Sequence, residues 1–317
     1  MITIEAVAPA SNEDAILRIA KQSDAVDSWV SSQSEKQIAI KILIDKSKSQ
    51  KVLDQLQELM AGKSNFRVVA YPLEVALPYD KSIKSITNTV TREALLTQLK
   101  AQSKLDSHYI MLVFLSTIVA AIGLIENNVA VIIGAMVIAP LLGPNLALSL
   151  STTLGQVNGI LSGLKTLFVG IALALGISYL IALFYPSISI TPELLSRTSV
   201  GLDGLALALA SGAAAALSIT SGVSSVLVGV MVAVALLPPT VTLGIFLGLE
   251  SFKEAYGAGL LLIANIASVN LTAQLTMRLK GIKPREEEKQ KTALIVFVLG
   301  IFFWCALIAY LVYRLYP

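Results

Sequence analysis

The polar residues most able to do chemistry in this chain sit inside its most apolar stretches. Asn145, Ser149, Ser151 and Thr152 lie in one such stretch and Thr240 and Thr242 in a second. Asn265, Ser268, Asn270, Thr272 and Gln274 crowd a third. Amides and hydroxyls in membrane-length apolar segments either bond between helices or line the path of a solute. Two of these stretches also carry helix breakers: Pro140, Gly143 and Pro144 in the run from Val129 to Thr153, and Pro238 and Pro239 before Thr240. Proline removes a backbone donor, and at membrane depth the freed carbonyl is tolerated only against protein or a water-lined cavity. Small polar side chains beside unwound backbone are what a dehydrated ion or small solute needs. The residues expected to form a pathway are therefore Glu126, Asn128, Pro140, Gly143, Pro144, Asn145, Ser149, Pro238, Pro239, Thr240, Asn265 and Asn270. Glu126 is the only carboxylate close to the first interrupted run, and it tilts the expectation towards a cation. Glu126 and Asn128 equally fit a solvated turn with an N-capping asparagine.

Composition bounds what else the chain can be. Of 317 residues, 55% are hydrophobic and only 14% charged, and the mean hydropathy is +0.74. Soluble domains carry roughly 25% charge, so the class is a multi-pass membrane protein. One cysteine, Cys305, and one histidine, His108, exclude an intrachain disulfide and metal sites built from Cys and His clusters. No nucleophile–base pair, metal cluster or phosphate loop is present, so no enzymatic activity, catalytic residue or cofactor is expected. The start, MITIEAVAPASNED, lacks a basic segment and an apolar run, and no signal peptide is expected. The expected partners are the lipid bilayer, an ion or small polar solute and further copies of the chain, with no nucleic acid.

Seven apolar spans of about 20 residues can be read: His108–Ile125, Asn128–Thr153, Gly159–Tyr185, Leu202–Thr220, Val223–Leu249, Tyr256–Met277 and Thr292–Tyr313. Ahead of them, residues 1–80 alternate apolar and polar at Ile2–Ala6, Ile38–Ile44 and Phe66–Ala70, with a further strand around Ala25–Val30. Two helical patterns intervene, one opened by the capping-box-like pair Ser11 and Asp14 and one closed by Gly62. The βαββαβ order suggests a ferredoxin-like sandwich. Residues 81–106 form an amphipathic linker and 278–291 a basic loop, and 292–317 hold the last helix. That loop carries Arg278, Lys280, Lys283, Arg285, Lys289 and Lys291, which places it and the N-terminal domain in the cytosol, while the opposite loops carry few basic residues, Arg197 in one and Lys253 in another.

One pattern occurs twice. Gly134-Ala-Met-Val followed by Leu141-Leu142-x-Pro144 returns 95 residues later as Gly229-Val-Met-Val followed by Leu236-Leu237-x-Pro239. Spans one to three and four to six then form two units. Because three is odd, the second enters the membrane from the opposite side, giving an inverted repeat. The expected fold is an α-helical polytopic membrane protein: seven spans, two inverted three-helix repeats with broken helices, and an N-terminal α/β ferredoxin-like cytosolic domain. The stretch from Glu126 to Pro144, with the second GVMVAVALLPP and an α/β head, resembles the "domain of unknown function 389" family of prokaryotic hydrophobic membrane proteins. The resemblance covers roughly Leu105 to Met277. It implies a prokaryotic cytoplasmic membrane and supplies no catalytic residues.

Smaller features complete the reading. Lys165 lies within snorkelling reach of its span's cytosolic end. Gly204, Ala208, Gly212 and Ala216 form a ladder of small residues suited to close helix contact, within the chain or between subunits of a homo-oligomer. Two function classes follow: a transporter or channel gated at the breaks, or a membrane-anchored sensor or scaffold whose bundle anchors and oligomerises the head. The span count makes a direct prediction. A periplasm-active reporter fused after Pro317 should be active and one fused after Lys283 silent, and the reverse pattern would sink the seven-span topology.

Overall fold

The computed structural model describes residues 1–34, 36–45, 48–61, 65–73, 92–185, 187–222, 225–284 and 287–315, with 225–235 described as backbone. They form two compact units, Met1–Ala94 and Leu95–Pro317.

In the first unit, alternation of apolar residues builds strands with one buried face. These are β1 (Ile2–Pro9), β2 (Asp27–Gln33), β3 (Gln37–Ile44) and β4 (Arg67–Pro72). Helix α1 (Glu13–Gln22) follows β1 and α2 (Ser49–Met60) follows β3, so the order is βαββαβ. The strands make one antiparallel sheet in the order β2-β3-β1-β4, with Ile4 opposite both Ile42 and Ala70. Ile4, Ile40, Ile42 and Ile44 pack beneath Ile16 of α1 and Val52 and Leu56 of α2 as a closed core. The Ser11–Asp14 capping pair does not form. A 3-10 turn over Ala10–Asn12 takes up that segment, and Asn12 stands at the cap without a side-chain cap bond. Gly62 lies outside the described residues. Arg92 bonds both Asp54 and Glu93. Burial works to raise the Glu93 carboxyl, but hydrogen bonds from Arg92 and Gln50 outweigh it and hold the group below its ordinary value.

Helix α3 (Arg92–Gln102) leads into the second unit, which is helical throughout. Its elements are α4 (Ser107–Ile125), α5 (Val129–Ile138), α6 (Leu142–Thr153), α7 (Val157–Phe184), the short α8 (Pro192–Ser196), α9 (Leu202–Ser221), α10 (Ser225–Gly248), α11 (Phe252–Leu279) and α12 (Glu287–Leu315). Among the described residues five helices are long and apolar enough to cross a membrane, and the α5–α6 pair makes a sixth if counted as one bent span. This is the architecture of a multi-pass membrane protein with a small antiparallel sheet at its N-terminus.

The first interrupted run breaks one turn earlier than its glycine and second proline suggest. Helices α5 and α6 meet at 53°. Ala139, before Pro140, is extended (φ −65°, ψ 120°), as the steric demand of the following proline ring requires. Gly143 and Pro144 belong to the first turn of α6, where a missing amide costs nothing because that donor has no helical partner anyway. The break expected at Pro238 and Pro239 is absent, since α10 runs through both prolines. The position 95 residues beyond Pro140 is Ala235, so the ring that forces Ala139 out of the helix has no counterpart. Neither Pro238 nor Pro239 can donate to the carbonyl four residues before it, which leaves those of Val234 and Ala235 without their helical partners.

The 95-residue spacing extends to whole elements. It separates Ser107 from Leu202 at the starts of α4 and α9. It also separates Val157 from Phe252 and Phe184 from Leu279, the two ends of α7 and α11. Helix α11 is the axis of the unit: it packs against α6, α9, α10 and α12, and it is the most buried of the five membrane-length helices among the described residues, with α12 the least. Gly212 of the α9 ladder lies directly on α11. A Cβ there would sit 2.7 Å from the Val269 Cα and collide with the Thr272 hydroxyl. At Gly212 the ladder therefore serves contact within the chain. Gly212→Leu should overpack this crossing and cost about 1–3 kcal/mol, read as a lower unfolding temperature in detergent. An unchanged temperature would show that α9 and α11 are not in backbone contact.

Candidate functional site

Asn145, Ser149 and Thr152 fall on one face of α6 at i, i+4 and i+7, and Asn270 and Gln274 are a turn apart on α11. The two helices pack together, and these five residues form a polar seam between them. The Asn270 amide donates to the Asn145 side-chain oxygen and, at 3.0 Å, to the Ile266 carbonyl. The Ser149 hydroxyl is 2.8 Å from Asn270 Oδ1 and 3.2 Å from the Asn145 carbonyl. Asn145, Ser149, Asn270 and Gln274 all have zero solvent exposure.

The seam is not closed on itself. Asn145 Nδ2 and both Gln274 amide atoms are buried with no hydrogen-bond partner. A buried polar group left unpaired costs about 1–3 kcal/mol, so three such atoms on facing helices need a reason. Helix α12 covers Gln274 where Gly300 passes: a Cβ at Gly300 would lie 2.8 Å from Thr152 Cγ2 and 3.1 Å from Gln274 Oε1.

Two comparisons place the chain among known proteins. The family model described as a domain of unknown function (DUF389) matches residues 136–271. An uncharacterised protein of the archaeon Methanocaldococcus jannaschii is 32% identical over 281 residues, which is 87% of this chain and 88% of the archaeal one. The chain belongs to the DUF389 family. No solved structure matches. The DUF389 match runs from Met136 in α5 to Leu271 in α11, so it contains Asn145, Ser149 and Asn270 but stops short of Gln274 and α12.

Of the twelve residues expected to form a pathway, the structure joins Asn145, Ser149 and Asn270. It does not join the others to them. Glu126 and Asn128 are exposed at the turn between α4 and α5, where Asn128 caps α5 by accepting from the Val131 amide at 3.2 Å. The carboxylate expected beside the break is therefore on the surface. Pro140 makes the bend, and Gly143 packs on the Gln102 backbone so closely that a Cβ would lie 2.8 Å from Gln102 Cβ. Thr240 is buried but bonds its own helix, donating to the Leu236 carbonyl at 2.7 Å, and nearby the buried Thr242 hydroxyl has no partner. Asn265 sits five residues before Asn270, roughly 140° away around the helix at 3.6 residues per turn, and with Pro239 it borders a separate cavity. Lys165 is exposed.

Gly300, on the last span, had no sequence signal beyond being small in an apolar run. Asn270→Leu tests the seam. It removes both inter-helix partners, strands Asn145 Oδ1 and leaves the Ser149 hydroxyl only the Asn145 carbonyl of its own helix. Reversible unfolding in detergent should show a loss of about 1–2 kcal/mol, the range of interhelical hydrogen bonds in membranes. Stability equal to the parent would mean that the amides are not bonded.

Proposed function

We propose that this DUF389 protein is a membrane transporter or channel for an ion or small polar solute, with its path along the α6–α11 seam. One observation carries the reading: Asn145 Nδ2 and the Gln274 amide are buried and unpaired on facing helices. A protein that needed only an anchor would gain by replacing them with leucine, since buried unpaired amides cost stability and contribute nothing to anchorage. The unpaired atoms of the seam are two donors, Asn145 Nδ2 and Gln274 Nε2, and one acceptor, Gln274 Oε1, and the seam holds no carboxylate. That composition suits a neutral hydrogen-bonding solute, or an ion met by amide and carbonyl oxygens. The sequence-based lean to a cation loses its support with Glu126 on the exposed turn.

The proposal includes seven spans, α10 and α12 among them, in the cell membrane with the N-terminal unit in the cytosol. It also takes α4–α7 and α9–α11 as two inverted units, an arrangement that brings facing helices together near the bilayer midplane. The 95-residue spacing of helix ends supports this. So does a pair of matching contacts. Ser149 meets Asn270, and Gly244, 95 residues after Ser149, meets the carbonyl of Leu175, 95 residues before Asn270. Catalysis has no part in the proposal. The homo-oligomer anticipated from the α9 ladder loses its argument at Gly212, which is occupied by α11.

A second reading, a sensor or scaffold anchored by the bundle, draws on the complete sealing of the seam and on a head that has its own core. Flux separates the two. Purified protein in liposomes should pass at least one of a panel of ions and small neutral solutes. Asn145→Leu, which adds no charge, should abolish that flux while the protein still folds and elutes like the parent. A parent that passes nothing, or an Asn145→Leu variant that passes solute normally, would hand the case to the scaffold.

A further inference from the structure

The first and second sets of helices differ at one spot in a way that leaves a hole. In the first set the ring of Tyr109, at the start of α4, is buried, and its hydroxyl donates to the Thr166 carbonyl of α7 at 3.0 Å. That hydroxyl rests against Gly170, where no Cβ would fit. The residues 95 positions on are Gly204, Leu261 and Asn265. The tyrosine has become a glycine, and the glycine facing it an asparagine. Gly204 has nothing within 4 Å of where a Cβ would stand. Gly204, Leu261 and Asn265 all line one cavity of about 260 Å³, and Arg197, Ser211 and Pro239 are also among its lining residues.

The lining is specific about what it would accept. Cavities for drug-sized ligands run from about 300 Å³ upwards, so this one takes a smaller body, about one ring, as the Tyr109 comparison also indicates. Leu261 and Pro239 supply apolar wall, and Asn265 and Ser211 supply hydrogen-bonding groups. At its edge is Arg197, whose counterpart in the first set is the neutral Gln102. One guanidinium nitrogen of Arg197 lies 3.2 Å from the Glu193 carboxylate, but its Nε is buried and has no partner. A buried donor on a charged group is costly to leave unpaired, and its bonds to anionic acceptors are roughly twice as strong as neutral ones. We propose that this cavity is a binding site for a small organic anion of about one-ring size, held by its carboxylate at Arg197 and by its apolar body in the space that Tyr109 fills in the first set.

The site uses a different face of α11 from the Asn270 seam, so binding is read without reference to flux. The full chain in detergent is titrated calorimetrically with benzoate and with its neutral shape-mate benzamide. The parent should bind benzoate at least about tenfold more tightly, a difference of about 1.4 kcal/mol. Arg197→Gln, which installs the residue found in the first set, should bring the two ligands to equal affinity while retaining benzamide. Gly204→Tyr combined with Asn265→Gly rebuilds the Tyr109–Gly170 packing and should bind neither ligand, with a melting temperature no lower than the parent's. Gly204→Phe fills the same space without a hydroxyl to place and should also bind neither. No benzoate binding by the parent, equal affinity of the parent for both ligands, or unchanged benzoate binding by either filled variant that folds would each overturn the proposal.

Discussion

An amide inside a membrane-spanning bundle has no water to fall back on, and the second unit of this protein is arranged around that constraint. Helix α11 brings Asn265, Asn270 and Gln274 into the interior, each almost wholly withdrawn from solvent. Every one must be answered by a neighbouring helix or remain a standing cost. Asn270 is answered in full. Its nitrogen serves Asn145 and Ile266 and its oxygen meets Ser149, so α6 is pinned to α11 in one register. Close approach is set elsewhere, by Gly212 on α9 and Gly300 on α12. The bend at Pro140 then follows as geometry, because it turns α6 at 53° to α5 and α6 is the segment that carries Asn145 and Ser149.

Much of this was legible in the chain, and the parts that were not have identifiable physical causes. Period-two isoleucines marked β1 and β3, and long apolar runs marked α4, α7, α9 and α11 to within a few residues, because burial pattern and length are local properties. That Asn145, Ser149 and Asn270 need partners inside the bundle was also visible, since polar side chains in apolar runs are costly wherever they fall. What failed was the assignment of breaks. Pro140, Pro144, Pro238 and Pro239 are not equally disruptive, because the effect of a proline depends on whether the missing amide had a helical partner and on the conformation of the residue before it. Pro144 lands in a first turn, Pro140 forces Ala139 out, and α10 carries its pair within a continuous helix. Glu126 misled for another reason. Proximity in sequence to a break says nothing about which way a turn faces, and this one faces outward.

Which amides would remain unpaired was beyond sequence reasoning altogether. Gln274 differs from Asn270 only in lying one turn further along α11, and its isolation depends on Gly300, in a helix that the sequence connects to it only through a charged loop. Likewise, the cavity beside Gly204 becomes visible only by comparing it with Tyr109. A missing ring is a relation between two places, and no single window of sequence contains it.

The same comparison bears on how the bundle divides its labour. At the α6–α11 contact, directional hydrogen bonds join Ser149, Asn145 and Asn270. At the α7–α10 contact 95 residues out of step, glycine does the joining: Gly244 lies against Ser178 and the Leu175 carbonyl, and Gly248 against Ala182 and the Tyr179 carbonyl. Glycine contacts hold helices by close packing, which is lost as soon as the backbones separate. Hydrogen-bonded amides tolerate separation if another donor or acceptor comes between them. Under the proposed transport function, the α6–α11 contact is therefore the one suited to open around a polar guest and still satisfy its own groups. Its unpaired atoms, Asn145 Nδ2 and the Gln274 amide, are the ones such a guest would meet.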